Sequence, residues 1–344
     1  MAEINPATQR AKIRSFGQGL VATLLINMGA ELGIFEALKE NKEAMTVSEL
    51  AAKLNLQEPN VKIWCQTAYH LEILDADDQG RFKLQPFLDE ILGDKTYFRN
   101  YLATIALVAK AGESVKSMVE SLKTGKSLDG YYNTPEFSKL TYKVTKDIPM
   151  IFLFMIFPKF EHLKQNLEQG SRVLDIGCGN GNLIIQLAQA FGNSTFIGVN
   201  PDLYGIESAK ATISQLGLGD RVAVEHMGGE ELSYKNEFDM ASMVVTLHEI
   251  RPDVREEVVR KAYQALKKDG HLLVLDFPYP SKLEDFRNPA FDFGIGDQFF
   301  ECFSGFYHLD NEKQNEVITN AGFTNIQRMR IGRGMFDFIT AIKS

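Results

Sequence analysis

Seven consecutive residues, Asp175-Ile176-Gly177-Cys178-Gly179-Asn180-Gly181, combine an acid with three glycines at alternate positions. Glycine enters backbone conformations closed to other residues and lets a ligand approach main-chain atoms closely. The spacing is GxGxG, not the GxGxxG of dinucleotide loops. The acid two residues before the first glycine would repel a pyrophosphate and attract a cationic group. The segment reads as a binding loop for a small ligand with a positively charged part. An ordinary strand-to-helix turn is the alternative.

A second constellation lies downstream. His248 and Glu249 follow the apolar run Asp239 to Leu247, and Asp276 ends the run His271 to Leu275. Histidine titrates near neutral pH and suits proton transfer. A carboxylate beside it could hold the ring and stabilise the imidazolium. A pocket-lining or capping role is the alternative for His248, and Glu249 reads as solvated or capping. Phenylalanines crowd the stretch after Asp276, among them Phe299 and Phe303, with His308 at its end. Met150, Phe152, Phe154 and Met155 make a similar run earlier. Such walls suit a flat apolar ligand, and a buried core would use the same residues. Acids do not cluster as a magnesium site would need, so no metal is expected.

These residues need elements to position them. From Arg172 onward, apolar runs (VLDIG, TFIGVN, RVAVEHM, FDMASMVVTL, HLLVLDF, FDFITAIK) alternate with segments of helical spacing such as NLIIQLAQAF. Strands alternating with helices imply an α/β fold with a doubly wound, mostly parallel sheet. In such sheets the ligand crevice lies at the carboxyl ends of the strands. That is where the glycine loop, Asn200, His248 and Asp276 fall. The N-terminal part differs. Residues 15–40 show helical spacing, Thr46 and Glu49 fit a capping box, and Ile73-Leu74 and Arg81–Leu84 flank an acidic turn. Helices followed by a hairpin are the order of a winged helix. The expected organisation is a winged-helix-type domain over 1–95, a helical bridge over 96–165 with a loop at Gly125–Thr134, and a catalytic domain over 166–344.

Composition narrows the function. The chain has 344 residues and a net charge of -8. Over residues 1–90 there are 9 Lys and Arg against 13 Asp and Glu, a net of -4. A duplex reader needs the opposite balance. Packing and dimerisation suit this module better, and no nucleic-acid partner is expected. Cys65, Cys178 and Cys302 are far apart, which fits reduced thiols. The N-terminus lacks an apolar signal core. The longest apolar run considered, Ile148 to Phe157, is half the roughly 20 residues of a membrane span. A cytoplasmic protein without membrane association is expected.

The loop resembles the first motif of class I S-adenosylmethionine-dependent methyltransferases. The whole layout is similar to the small-molecule O-methyltransferases of the plant caffeate and bacterial polyketide type. The resemblance implies a Rossmann-like catalytic domain behind a dimerisation domain. It implies S-adenosylmethionine as cofactor, held by Asp175, Gly177, Gly179, Gly181, Asn200 and Pro201, with Met227 on the adenine face and Glu230 at the adenine amino group. Relatives usually carry an acid where Asn200 stands; an amide can still accept from one ribose hydroxyl and donate to the other. His248 would be the general base, oriented by Asp276. The Trp usual after the acid is replaced by Ile250. Met150, Phe154, Phe299, Phe303 and His308 would meet a small hydrophobic or aromatic acceptor, and the enzyme would be a homodimer. Transfer to nitrogen or carbon, a repurposed non-methylating member, and a cofactor-sensing regulator are the competing readings.

Overall fold

The computed structural model describes residues 4–41, 43–92, 101–128 and 134–344. The chain forms two compact units, 1–115 and 116–344. Of the loop expected at Gly125–Thr134, residues 129–133 lie outside the described residues.

The first unit holds α1 (Pro6–Glu31), α2 (Ile34–Glu40), α3 (Val47–Leu54), α4 (Glu58–His70), β1 (Leu74–Ala76), β2 (Phe82–Leu84), α5 (Leu88–Ile91) and α6 (Leu102–Gly112). The single helix expected over 15–40 is two helices, starting at Pro6 and broken at Gly33, whose φ of 73° ends the α-helical run. The capping box is present: Thr46 Oγ1 accepts from the Glu49 amide at 3.2 Å, and Glu49 accepts from the Thr46 amide at 2.8 Å. Trp64 packs edge-on against Phe35 and donates its indole N–H to the Leu25 carbonyl. Gly29 permits this approach, because a Cβ there would lie 2.6 Å from the Trp64 ring. Phe16, Leu20, Leu24 and Met28 recur every four residues along α1 and are exposed. Four-residue spacing puts them on one face.

The second unit begins with α7 (Val115–Thr124), α8 (Pro135–Thr145), α9 (Ile148–Ile151), which runs into a π-helical turn at Phe152–Ile156, and α10 (Glu161–Gln169). There follow β3 (Arg172–Ile176), α11 (Asn182–Ala190), β4 (Thr195–Asn200), α12 (Leu203–Gln215), β5 (Val222–His226), β6 (Phe238–Val244), α13 (Pro252–Ala265), β7 (Leu266–Asp276), α14 (Asp292–Glu301), α15 (Asn311–Asn320), β8 (Phe323–Ile331) and β9 (Phe336–Lys343). The seven strands lie in the order β5-β4-β3-β6-β7-β9-β8. The first five are parallel; β9 and β8 add antiparallel pairings. The α/β sheet is therefore doubly wound and mostly parallel. The chain leaves β3 in one direction for β4 and returns on its other side as β6. That reversal opens a crevice at the carboxyl ends of the strands. Apolar clusters lie on both faces of the sheet, one centred on Phe196, Ile184 and Phe338, the other on Phe238, Val259 and Leu266.

Two sequence expectations change. The strand read from Asp239 to Leu247 stops at Val244. Val245 has φ 54°, a left-handed conformation costly for a β-branched residue. Its amide is held by the Leu275 carbonyl at 2.7 Å. His248 therefore sits in a loop beyond the strand. Strand β8 is an addition, an exposed edge whose pattern gives little alternation. Among the described residues, no single helix is long and apolar enough to cross a membrane.

Candidate active site

The glycine loop leaves β3 and enters α11. Gly177, Gly179 and Gly181 all have positive φ, at 79°, 53° and 73°. Two of them do different work. A Cβ on Gly177 would lie 2.3 Å from the Thr246 side chain, so this residue lets the loop pass close to the segment after β6. A Cβ on Gly179 would meet no atom within 4 Å, so that side of its backbone is open. That space belongs to a cavity of about 430 Å³ lined by Asp175, Gly177, Cys178, Gly179, Asn200, Pro201 and Asp202 on one side. The volume falls in the range of small-molecule sites. Gly181 stands at the start of α11, outside the lining.

Asp175 is 2% exposed and accepts from Ser242 Oγ at 2.7 Å. Burial pushes its carboxyl up to about 7, against the opposing pull of that hydrogen bond. A buried acid at a cavity wall is suited to a cationic partner. Asn200 ends β4 at the same wall. Asp202, next along, is engaged elsewhere: it accepts from the Tyr204 and Gly205 amides as the cap of α12, and from Ser138 Oγ at 2.7 Å. Asn200 is thus the freer polar group at this strand end. Met227 is half-buried against one apolar cluster, and Glu230 is exposed in a short 3-10 turn after β5. Neither lines the cavity.

The lining is completed by Val244, Val245, Glu249 and Arg251 at and after the end of β6, by Phe137, Thr141, Tyr142 and Thr145 of α8, by Ile148 and Pro149 of α9, and by Leu128, Ser304 and Phe306. Arg255, 4% exposed on α13, fixes this loop by donating to the carbonyls of His248, Ile250 and Tyr307 at 2.8–3.0 Å. Sequence reasoning missed Arg255, whose partners are backbone atoms and leave no motif. Glu249, read from sequence as solvated or capping, is placed at the cavity.

His248 and Asp276 meet as expected. His248 Nδ1 lies 2.6 Å from Asp276 Oδ1, and the His248 amide donates to Asp276 Oδ2. Both residues are buried, at 2% and 1% exposure. Burial alone would lower the His248 pKa; the adjoining Asp276 carboxylate reverses this and raises it to about 10. Burial likewise opposes ionisation of Asp276, yet the imidazolium draws its pKa below the ordinary value. The two form a buried ion pair at neutral pH.

His308 joins them. Its ring stacks on His248 at 4.2 Å with 10° between planes, and its Nε2 lies 3.0 Å from Asp297 Oδ2. That carboxylate is also 3.8 Å from His248 Nε2. His248, His308 and Asp297 thus bring ligand-type atoms within 4.8 Å of one another, a cluster that sequence reading did not find. The imidazole lone pairs lie in their ring planes. Two nearly parallel rings with centroids 4.2 Å apart do not converge on one ion, so the geometry is that of stacked rings bridged by a carboxylate.

The other acceptor-facing candidates scatter. Phe154 is 72% exposed and Phe299 59% exposed, while Phe303 is buried. Met150 is half-buried in α9, beside lining residue Pro149. None of the four, nor His308, lines the cavity.

A glycine loop and an acid after the first strand of a doubly wound sheet, with a cavity of small-molecule size beside them, stand where Rossmann-like sheets take their ligands. Residues 173–270 match the methyltransferase domain family, and residues 16–87 match the O-methyltransferase dimerisation domain family. The chain is 36% identical over 123 residues to 27-O-demethylrifamycin SV methyltransferase of Amycolatopsis mediterranei, a match covering 34% of this chain and 44% of that protein. It is 23% identical over 274 residues to L-tyrosine C(3)-methyltransferase of Streptomyces lavendulae, covering 75% of this chain and 72% of that protein. The solved structure of human N-acetylserotonin methyltransferase in complex with S-adenosylmethionine shares its fold, with a TM-score of 0.76, 14% identity, and coverage of 100% of this chain and 99% of that one. Residues 173–270 thus form a methyltransferase domain, preceded at residues 16–87 by an O-methyltransferase dimerisation domain.

Proposed function

We propose that the protein transfers a methyl group from S-adenosylmethionine to a hydroxyl on a small aromatic or polyketide-like acceptor, as a cytoplasmic homodimer. One observation carries this reading. One cavity is lined by a buried acid and an open glycine loop together with apolar and aromatic side chains and a second carboxylate. A cationic donor and a flat acceptor would share that space. When bound, the cofactor supplies an electrophilic methyl on a sulfonium.

The chain's own residues then have defined tasks. Asp175 would hold the amino end of the cofactor, and Gly177 and Gly179 would let it lie against the backbone. Gly181 turns the chain into α11. Asn200 and Pro201 would meet the ribose, where the Asn200 amide can both accept and donate. Met227 and Glu230 lie toward β5 and would close on the adenine. Phe137, Tyr142, Ile148 and Phe306 would exclude water from the acceptor and align it for in-line attack, which is where most of the rate gain arises. The exposed face of α1 lies within the dimerisation segment and would pair with a second copy; a bridge over 96–165 would supply α8 and α9 to the acceptor wall. The buried His248–Asp276 pair would hold the segment after β6 against β7.

The test is transfer of labelled methyl from S-adenosylmethionine to a panel of phenols, hydroxyquinones and amines. Label appearing as methyl ethers of hydroxylated aromatics is expected. Label confined to amines or ring carbons would overturn the choice of atom, and the likeness to a tyrosine C(3)-methyltransferase makes carbon the alternative to watch.

A further inference from the structure

We propose that Glu249, rather than His248, is the catalytic residue that takes the acceptor's proton; the proposal rests on the O-methylation reading above. A general base must first reach the proton. Glu249 faces the cavity and is exposed within it. His248, one residue earlier, points back into the protein and does not line the cavity. Its Nδ1 is occupied by Asp276, one ring face is covered by His308, and Phe277 leans on it with ring centroids 5.7 Å apart. Its remaining nitrogen is directed toward Asp297 at 3.8 Å. No part of this ring is offered to an acceptor. The left-handed turn at Val245 and the three carbonyl bonds from Arg255 hold the loop in this orientation.

The charges around Glu249 agree. His248, Asp276 and Asp297 act on its carboxylate from behind, and Arg251, also at the cavity, is paired in a fork with Asp253. Although Glu249 opens to the cavity, its carboxylate is surrounded mostly by protein; this loss of hydration, with Asp297 and Asp276 adding repulsion against the attraction of His248, raises it to about 7. Asp276 meanwhile keeps His248 protonated to about 10. A group poised near the working pH exchanges a proton best, and here that group is the carboxylate. In the step itself, the acceptor O–H bond breaks and its proton goes to a Glu249 carboxylate oxygen. The oxygen lone pair forms the O–CH₃ bond, and the C–S bond breaks with its electron pair left on sulfur. Glu249 then returns the proton to solvent through the cavity mouth. His248 is a positioning residue in this account.

Two measurements test it. The first follows Glu carboxyl and His ring signals by NMR in cofactor-free protein from pH 5 to 10. One carboxyl should titrate near 7 and vanish in Glu249→Gln, while one imidazole stays protonated beyond pH 9. A Glu249 signal fully ionised at pH 5.5, with an imidazole titrating near 6.5 that disappears in His248→Gln, would overturn the proposal. The second uses the phenol that wild type methylates fastest. Glu249→Gln should lower kcat on the order of 100–10,000-fold, leave KM for S-adenosylmethionine within about two-fold, and abolish the rise of kcat with pH around 7; Glu249→Asp should recover part of the rate. Unchanged kcat in Glu249→Gln would also overturn it. Failure of wild type to methylate any phenol is a different result, because it defeats the O-methylation reading, while the titration still decides which group is poised to accept a proton.

Discussion

Asp175→Asn should stabilise the cofactor-free protein at alkaline pH while destroying its binding site. Asp175 is 2% exposed with a carboxyl raised from 3.8 to about 7. At 1.36 kcal/mol per unit, the raised value corresponds to at most about 4 kcal/mol of lost stability once the group is ionised. The sign follows from linkage. A carboxyl whose folded pKa is raised contributes stability below about 3.8, and this is lost as pH rises through 7. Asparagine keeps the oxygen that accepts from Ser242. It leaves amide hydrogens without a defined partner, a cost of about 1–3 kcal/mol. The net gain above pH 7 is then about 1–3 kcal/mol, or roughly 3–9 °C in Tm for a unit of this size. At pH 4–5 the gain should vanish. Thermal melts of wild type and variant at pH 5 and pH 8, with and without S-adenosylmethionine, read this out. The variant should melt higher than wild type at pH 8 without cofactor and show no cofactor-induced shift. An equal difference at both pH values, or a lower Tm at pH 8, would refute the argument that burial of an ionised acid strains the empty site.

Four further outcomes are expected. Gly177→Ala should lose cofactor affinity and several degrees of Tm, because its Cβ would lie 2.3 Å from Thr246 at a positive φ, and calorimetry with melting checks both. His248→Gln should cost about 3–5 kcal/mol at pH 7 by leaving Asp276 buried without its partner. Since the His248 pKa is raised to about 10, its stabilisation is complete below about 6.5 and lost as pH rises through 10, and the variant's melts should lack that alkaline decline. Leu20→Glu with Leu24→Glu should convert a dimer to a monomer in light scattering with little change in unfolding of the isolated subunit, since both side chains are exposed on α1. Arg255→Leu should lower kcat more than it lowers cofactor affinity, measured by transfer kinetics and calorimetry, because it frees the two carbonyls flanking Glu249, those of His248 and Ile250, and their tie to the Tyr307 carbonyl.

What could be read from sequence was what local backbone chemistry encodes. The glycine loop announces itself because alternate glycines after a strand have few other uses, and all three do take positive φ. The capping box at Thr46 and Glu49 and the alternation of strands and helices were legible for the same reason. The His248–Asp276 pairing was inferred from two residues at adjacent strand ends, although the histidine lies beyond its strand rather than at its tip. Side-chain direction was not legible. Glu249 and His248 are neighbours, and which one faces the cavity depends on Val245 turning left-handed, which a β-branched residue does not advertise. The aromatic clusters misled in part: Phe154 and Phe299 are exposed, Phe303 is buried, and the acceptor wall draws on α8, whose polar residues Thr141 and Thr145 carry no such signal. The stacked His248 and His308 rings join residues sixty positions apart, a distance no local pattern spans.

The most direct test of the central claim is calorimetric titration of S-adenosylmethionine into wild type and Gly179→Arg. Nothing lies within 4 Å of a Cβ at Gly179, so an arginine side chain has room beside the cavity, and the left-handed φ of 53° costs a non-glycine residue only about 1–2 kcal/mol. Saturable one-to-one binding by wild type, abolished in a folded Gly179→Arg protein, is the predicted result. Absence of binding to folded wild type freed of copurified ligand, or equal binding by both proteins, would contradict the account.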